Sequence, residues 1–188
     1  MPPNKPERSV CLFCGSRTGT APHHLVEAEA LGAGLADAGF GLVYGAGDLG
    51  LMGAAARAAK SAGGQVTGFI PRHLLAMEVG NPGIDALIVT ETMHERKKLM
   101  FGNSDAVVAL PGGPGTLDEL IEVLTWRQIG LHQRPIVLVS PKGYWQPLLS
   151  LIDHVIGHGF ADPGFRDYLD VVESAGEAVV RLKAHLID

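Results

Sequence analysis

Six short runs of mostly apolar residues recur along this chain, at 9–14, 41–44, 65–70, 86–90, 106–110 and 135–139, and a minor one stands at 171–172. Stretches with helical spacing, at about 22–38, 49–62, 93–103, 115–129, 144–157 and 174–186, separate most of them. Strands this continuously apolar are buried on both faces, and strands alternating with helices pair in parallel through crossover connections. The pattern predicts an α/β fold of three layers, helices on both sides of a mostly parallel sheet of six to seven strands. Two S/T-x-x-E capping boxes, Thr92 to Glu95 and Ser174 to Glu177, mark helix starts.

With 188 residues and no internal repeat or linker, a single domain over 9–188 is expected, after a frayed polar tail at 1–8. That start lacks the apolar centre of a signal peptide, and no apolar run reaches the ~18 residues of a membrane span. A cytoplasmic protein is expected, with no membrane partner. The net charge of −5 argues against bulk nucleic-acid or anionic-membrane binding. Any phosphate it holds must therefore meet a local positive site. Charged residues are only 19% and mean hydropathy is +0.19. That balance predicts apolar surface buried against a partner subunit.

The two cysteines, Cys11 and Cys14, form a C-x-x-C inside the first strand. Three strand steps put their Cα atoms roughly 10 Å apart, beyond the ~7 Å limit of a disulfide. With no third cysteine to build a zinc site, they read as structural thiols. His154 and His158 lie at i, i+4 but lack the Glu of H-E-x-x-H and a third ligand, so no metal is expected.

In open parallel sheets, ligands bind beyond the carboxyl ends of the strands. Three loops there are unusual. Gly15-Ser16-Arg17-Thr18-Gly19 offers mobile backbone, hydroxyls and a cation. Gly45-Ala46-Gly47-Asp48-Leu49-Gly50 matches G-x-G-x-x-G in a strand–helix context. The next strand, however, ends without the acidic residue a dinucleotide needs, so an NAD-dependent oxidoreductase is the weakest reading. The third loop, Pro111-Gly112-Gly113-Pro114-Gly115-Thr116, opens a helix. Its glycines let backbone N–H groups approach an anion at the helix's positive end. It lacks the G-K-[ST] of a triphosphate loop and suits one terminal phosphate.

Glu119 follows about one helical turn after Thr116, with Asp118 and Glu122 near it. A carboxylate beside a bound phosphate is useful where the other end of the ligand develops positive charge. The turn His94-Glu95-Arg96-Lys97-Lys98 carries cations at a helix start, which is unfavourable unless an anion sits there. If strands four and five are neighbours, Arg96 lies beside the Gly-rich loop.

Met93-His94-Glu95-Arg96-Lys97 followed by Pro111-Gly112-Gly113-x-Gly115-Thr116-x-x-Glu119 resembles the Lonely Guy (LOG) family. Cys14-Gly15-Ser16, Gly41-Leu42-Val43-Tyr44-Gly45, Gly50-Leu51-Met52-Gly53, Leu124-Thr125-Trp126 and Gly143-Tyr144-Trp145 extend the resemblance over nearly the whole chain. It implies a Rossmann-like fold and a homodimer with sites near the subunit interface. It also implies hydrolysis of the N-glycosidic bond of a cytokinin riboside 5′-monophosphate, and of AMP, to free base and ribose 5-phosphate, with no cofactor. The resemblance carries Arg96 and Glu119 as the catalytic pair. It carries Glu78, Arg96, Lys97, the segment 113–119 and Thr125 as nucleotide contacts. Gly15, Ser16, Gly45, Gly47, Met93, Gly112, Gly113, Gly115 and Thr116 complete the expected binding set.

The residues agree with that chemistry. Glycoside cleavage passes through an oxocarbenium-like state, which a carboxylate at Glu119 stabilises. The phosphate loop then fixes the sugar against it. Pro114 and Ala46 depart from the family pattern, Pro114 removing one backbone donor from the loop. No lysine stands in a context that supports a pyridoxal phosphate Schiff base. A nucleotide-binding or sensor protein without turnover is the other reading, and the pairing of Glu119 with Arg96 argues against it.

Overall fold

The computed structural model describes residues 6–75 and 83–187. Glu78 lies outside the described residues, as do residues 1–5 of the expected tail. Within that tail, the carbonyl of Arg8 accepts a hydrogen bond from Gly41 and its side chain pairs with Asp105.

The elements run β1 (Ser9–Phe13), α1 (His23–Asp37), β2 (Gly41–Tyr44), α2 (Gly50–Ser61), β3 (Val66–Pro71) and a single turn, α3 (Arg72–Leu75). They continue β4 (Ala86–Thr90), α4 (Met93–Gly102), β5 (Ala106–Ala109), α5 (Pro114–Gln128) and β6 (Ile136–Val139). The last are α6 (Gln146–Gly157), β7 (Leu169–Val172) and α7 (Ala175–Leu186), with 3₁₀ turns at Pro141–Gly143 and Pro163–Tyr168. The seven strands form one sheet in the order β4-β3-β2-β1-β5-β6-β7, and every pairing is parallel. This is the expected three-layer α/β architecture. The minor strand expected at 171–172 is a full four-residue edge strand.

Alternate residues of each strand point to opposite layers. Leu12, Leu42 and Tyr44 face Leu31 and Leu35 of α1, Leu51 of α2 and Leu182 of α7. Phe13, Val43 and Phe69 face Met100 of α4, Leu120 and Leu124 of α5 and Leu149 of α6. Cys11 and Cys14 fall into different layers as free, buried thiols, as the strand spacing predicts. Helices α1 and α2 approach so closely that a Cβ on Gly32 would stand 2.1 Å from the carbonyl oxygen of Ala55. Only glycine fits that crossing.

Both predicted caps form: Thr92 accepts from the Glu95 N–H and Ser174 from the Glu177 N–H. Each glutamate reaches back one residue further than a capping box requires, to the N–H of Glu91 or Glu173.

One expectation is corrected. Strands β4 and β5 are not neighbours; β3, β2 and β1 stand between them, and β4 is the sheet's edge. The helix joining them, α4, starts at that edge and leads back to the centre. Arg96 reaches the middle of the sheet by this crossover and not by strand adjacency.

Candidate active site

The strand order reverses between β1 and β5, where successive crossovers leave in opposite directions. Loops diverge there and open a crevice beyond the carboxyl ends of the strands. The crevice walls are tied together by backbone. Gly15 N–H donates to the Pro111 carbonyl at 3.0 Å, and Leu51 N–H at the start of α2 donates to the Gly15 carbonyl at 3.1 Å. The resulting cleft has a volume of about 790 Å³.

One wall is the start of α5. Gly113 is the N-cap in extended conformation and Pro114 is the first helical residue. A proline at this position removes an N–H that has no helical acceptor in any case. The departure at Pro114 therefore leaves Gly115 and Thr116 as first-turn donors with no i−4 carbonyl, turned toward the cleft they line. Thr116 is buried, and its Oγ1 occupies the space a Gly112 side chain would need, 2.0 Å from an ideal Cβ.

Glu119 lies one turn further along α5, half-buried, on the cleft wall. Burial pushes its carboxyl up from 4.5 to about 7; Arg96 and Lys97 oppose the shift, while Asp118 and Glu122 add to it. Arg96 lines the same cleft and is buried. Its Nε donates to the Phe69 carbonyl at 3.0 Å and its Nη2 to the Gly45 carbonyl at 2.8 Å. The guanidinium is thus clamped to the ends of β3 and β2. No carboxylate among the described residues pairs with it within 4 Å, so it acts on Glu119 as a nearby charge.

This clamp explains the first glycine of G-x-G-x-x-G: a Cβ on Gly45 would stand 1.9 Å from Arg96 Nη2. Gly50 has φ +63° and would place a Cβ 2.3 Å from the Ser16 carbonyl carbon. The motif serves close packing between loops, and β3 runs into Pro71 and Arg72 with no ribose-binding carboxylate. Ala46, standing where the family pattern has glycine, takes φ +63°, a left-handed conformation that costs a non-glycine roughly 1 kcal/mol.

Of the sequence-derived candidates, Gly15, Ser16, Met93, Arg96, Gly112, Gly113, Gly115, Thr116 and Glu119 meet around the cleft. Gly45 and Gly47 are buried behind it. Thr125 is exposed further along α5 and donates to the Ile121 carbonyl. Lys97 is buried and pairs at 2.9 Å with Asp118, which lines the cleft, and at 3.1 Å with Glu122. Burial alone would lower its pKa, but the two carboxylates raise it above the ordinary lysine value. Asp118, which reads as a plain surface acid, is one arm of this bridge between α4 and α5. Sequence reasoning missed the cleft residues Thr20, His24 and Tyr144. Tyr144 stood only within a resembling triplet; the signal for it was the Pro141-Lys142-Gly143 turn placed just after a strand.

A sequence-family profile described as "Possible lysine decarboxylase" matches residues 52–182. Among the described residues no lysine lines the cleft, and Lys97 is held protonated by two carboxylates. A probable cytokinin riboside 5′-monophosphate phosphoribohydrolase of Oryza sativa subsp. japonica is 41% identical, over 94% of this chain and 77% of its own. A cytokinin riboside 5′-monophosphate phosphoribohydrolase of Arabidopsis thaliana is 39% identical, over 95% of this chain and 84% of its own. Among solved structures, the molybdenum cofactor carrier protein of Chlamydomonas reinhardtii superposes with a TM-score of 0.74 at 26% identity, covering 97% of this chain and all of that one. The profile match and the identity across nearly the full length agree: this chain belongs to the LOG family.

Proposed function

We propose that this protein hydrolyses the N-glycosidic bond of cytokinin riboside 5′-monophosphates, and of AMP, releasing free base and ribose 5-phosphate. The observation that carries the reading is Glu119: a carboxyl held near neutrality, one turn below an anion-binding helix start, facing a cleft sized for a nucleotide. Curated relatives near 40% identity carry this activity in their names. The 5′-phosphate takes the N–H groups of Gly115 and Thr116 at the positive end of α5. The sugar then lies across Glu119. As the C1′–N bond breaks, its electron pair leaves with the base, which takes up a proton. Glu119 in its ionised form stabilises the positive charge at C1′ and accepts a proton from the water that adds there. Arg96 keeps Glu119 ionised against its burial. Lys97 contributes through the Asp118 and Glu122 bridge.

The test is a product assay with isopentenyladenosine 5′-monophosphate and with AMP, reading free base and ribose 5-phosphate by chromatography. Release of both products is expected, and binding without release favours a sensor instead. Because the ionised carboxylate is the active form, kcat/KM is expected to fall about tenfold per pH unit below about 7, the value to which Glu119 is shifted. A profile flat down to pH 5 removes Glu119 from that role.

We also propose that the protein is a homodimer. The edge strand β4 leaves Leu87, Ile88 and Val89 37–40% exposed, an apolar edge that a second copy covers. Light scattering is expected to give twice the 19.8 kDa chain mass, and a monomer at micromolar concentration contradicts it. A cytoplasmic site of action fits the buried free thiols of Cys11 and Cys14. Among the described residues no helix is long and apolar enough to cross a membrane.

A further inference from the structure

We infer that Tyr144 is a positioning residue that locks the orientation of the Gly112–Gly113 peptide and so keeps the loop in its phosphate-accepting state. The inference rests on the nucleotide reading above. Two consecutive glycines leave the peptide between them free to turn over, since neither carries a Cβ to oppose it. In a planar trans peptide the C=O and the following N–H point in opposite directions. Turning it over exchanges a donor for an acceptor at the same place. Against a phosphate, that exchange replaces attraction with repulsion.

The Tyr144 hydroxyl donates to the Gly112 carbonyl at 2.7 Å. A phenol is a stronger donor than acceptor, so this bond favours the peptide state whose carbonyl faces Tyr144 over the one that presents an N–H to it. The selected state turns the Gly113 N–H to the side away from Tyr144.

The tyrosine is itself held firmly. It follows Lys142 with φ 52° and Gly143 with φ 74°, two successive residues in the left-handed region. A non-glycine residue there is uncommon and marks a turn fixed by its surroundings. The turn is closed by Gly143 N–H and Tyr144 N–H donating to the carbonyls of Ser140 and Pro141, and by Trp145 N–H donating to Ser140 Oγ. The ring packs edge-on against buried Trp145 at 4.8 Å and against His24 at 5.4 Å. Burial lowers the pKa of His24, with His23 adding to the effect. His24 therefore stays neutral at pH 7 and buttresses the ring without competing for the phosphate as a cation.

Two variants separate the hydroxyl from the ring. Tyr144→Phe keeps the packing and removes the donor; Tyr144→Leu removes both. For AMP hydrolysis, both are expected to raise KM about tenfold, with kcat within threefold of wild type. Inhibition by ribose 5-phosphate is expected to weaken by the same factor, while inhibition by free adenine stays unchanged. A Tyr144→Phe enzyme with wild-type KM overturns the lock and leaves the ring a packing role. An equal loss of affinity for adenine also overturns it. If the wild type itself binds and hydrolyses no nucleotide, the functional reading has failed instead. In that case the lock is read by inorganic phosphate binding alone, which Tyr144→Phe must still weaken.

Discussion

Glu119→Gln is expected to lower kcat for nucleotide hydrolysis by about 10³-fold, within the range general acid–base catalysis supplies, while nucleotide affinity stays equal or rises. The amide keeps the shape of the side chain and removes the charge that repels a bound phosphate. Chromatographic turnover assays and calorimetric titration with AMP check both halves. Retained turnover within tenfold of wild type would remove Glu119 from the chemistry.

The same variant has a second readout without substrate. The folded carboxyl titrates at about 7 and the unfolded one at 4.5, so the native state binds the proton more tightly. Stability from that proton is complete below 4.5 and is lost as pH rises through 7. Glutamine carries no such loss. The stability of Glu119→Gln relative to wild type should therefore climb between pH 4.5 and 7 and level off above. The full shift corresponds to roughly 3 kcal/mol, and a half-buried carboxyl that keeps some solvent gives about 2. Parallel thermal melts across this range would show no trend if the carboxyl titrates normally.

Arg96→Met is expected to cost both activity and stability. It leaves the Phe69 and Gly45 carbonyls without their donor, at about 1–3 kcal/mol for each buried acceptor that finds no water. It also removes the cation that most strongly opposes the upward shift of Glu119. At pH 7 less of the carboxylate is then ionised, so kcat/KM drops about 10²-fold and its acid limb moves to higher pH. Gly45→Ala should reproduce much of this effect, since its Cβ falls 1.9 Å from Arg96 Nη2. A limb that stays near 7 in Arg96→Met would show that Arg96 does not tune Glu119. The pH–rate profiles of both variants decide it.

The alternation of apolar runs and helical spacing was enough to read the layers, the strands and the parallel pairing. It did not contain the strand order. Loop lengths are compatible with β4 beside β5, and only the packing of α4 back across the sheet decides otherwise. The Gly-rich start of α5 and the place of Glu119 one turn along it were legible because glycine, proline and a helix start act locally. The ion pairs of Lys97 were not, because its partners Asp118 and Glu122 sit on another helix brought close only by folding. The close packing expected of the G-x-G-x-x-G glycines is present, but its partner was not legible: Gly45 packs against an arginine far along the chain. The hydroxyl of Tyr144 likewise meets a carbonyl from a different crossover.

Because β1 pairs with β5, the two sides of the cleft come from opposite halves of the chain. Such pairings are slow to form, since the chain must close a long loop before any contact rewards it. Recovered hydrolysis after denaturation is thus expected to report the pairing of β1 with β5 together with the docking of α4 and α5, which carry Arg96 and Glu119.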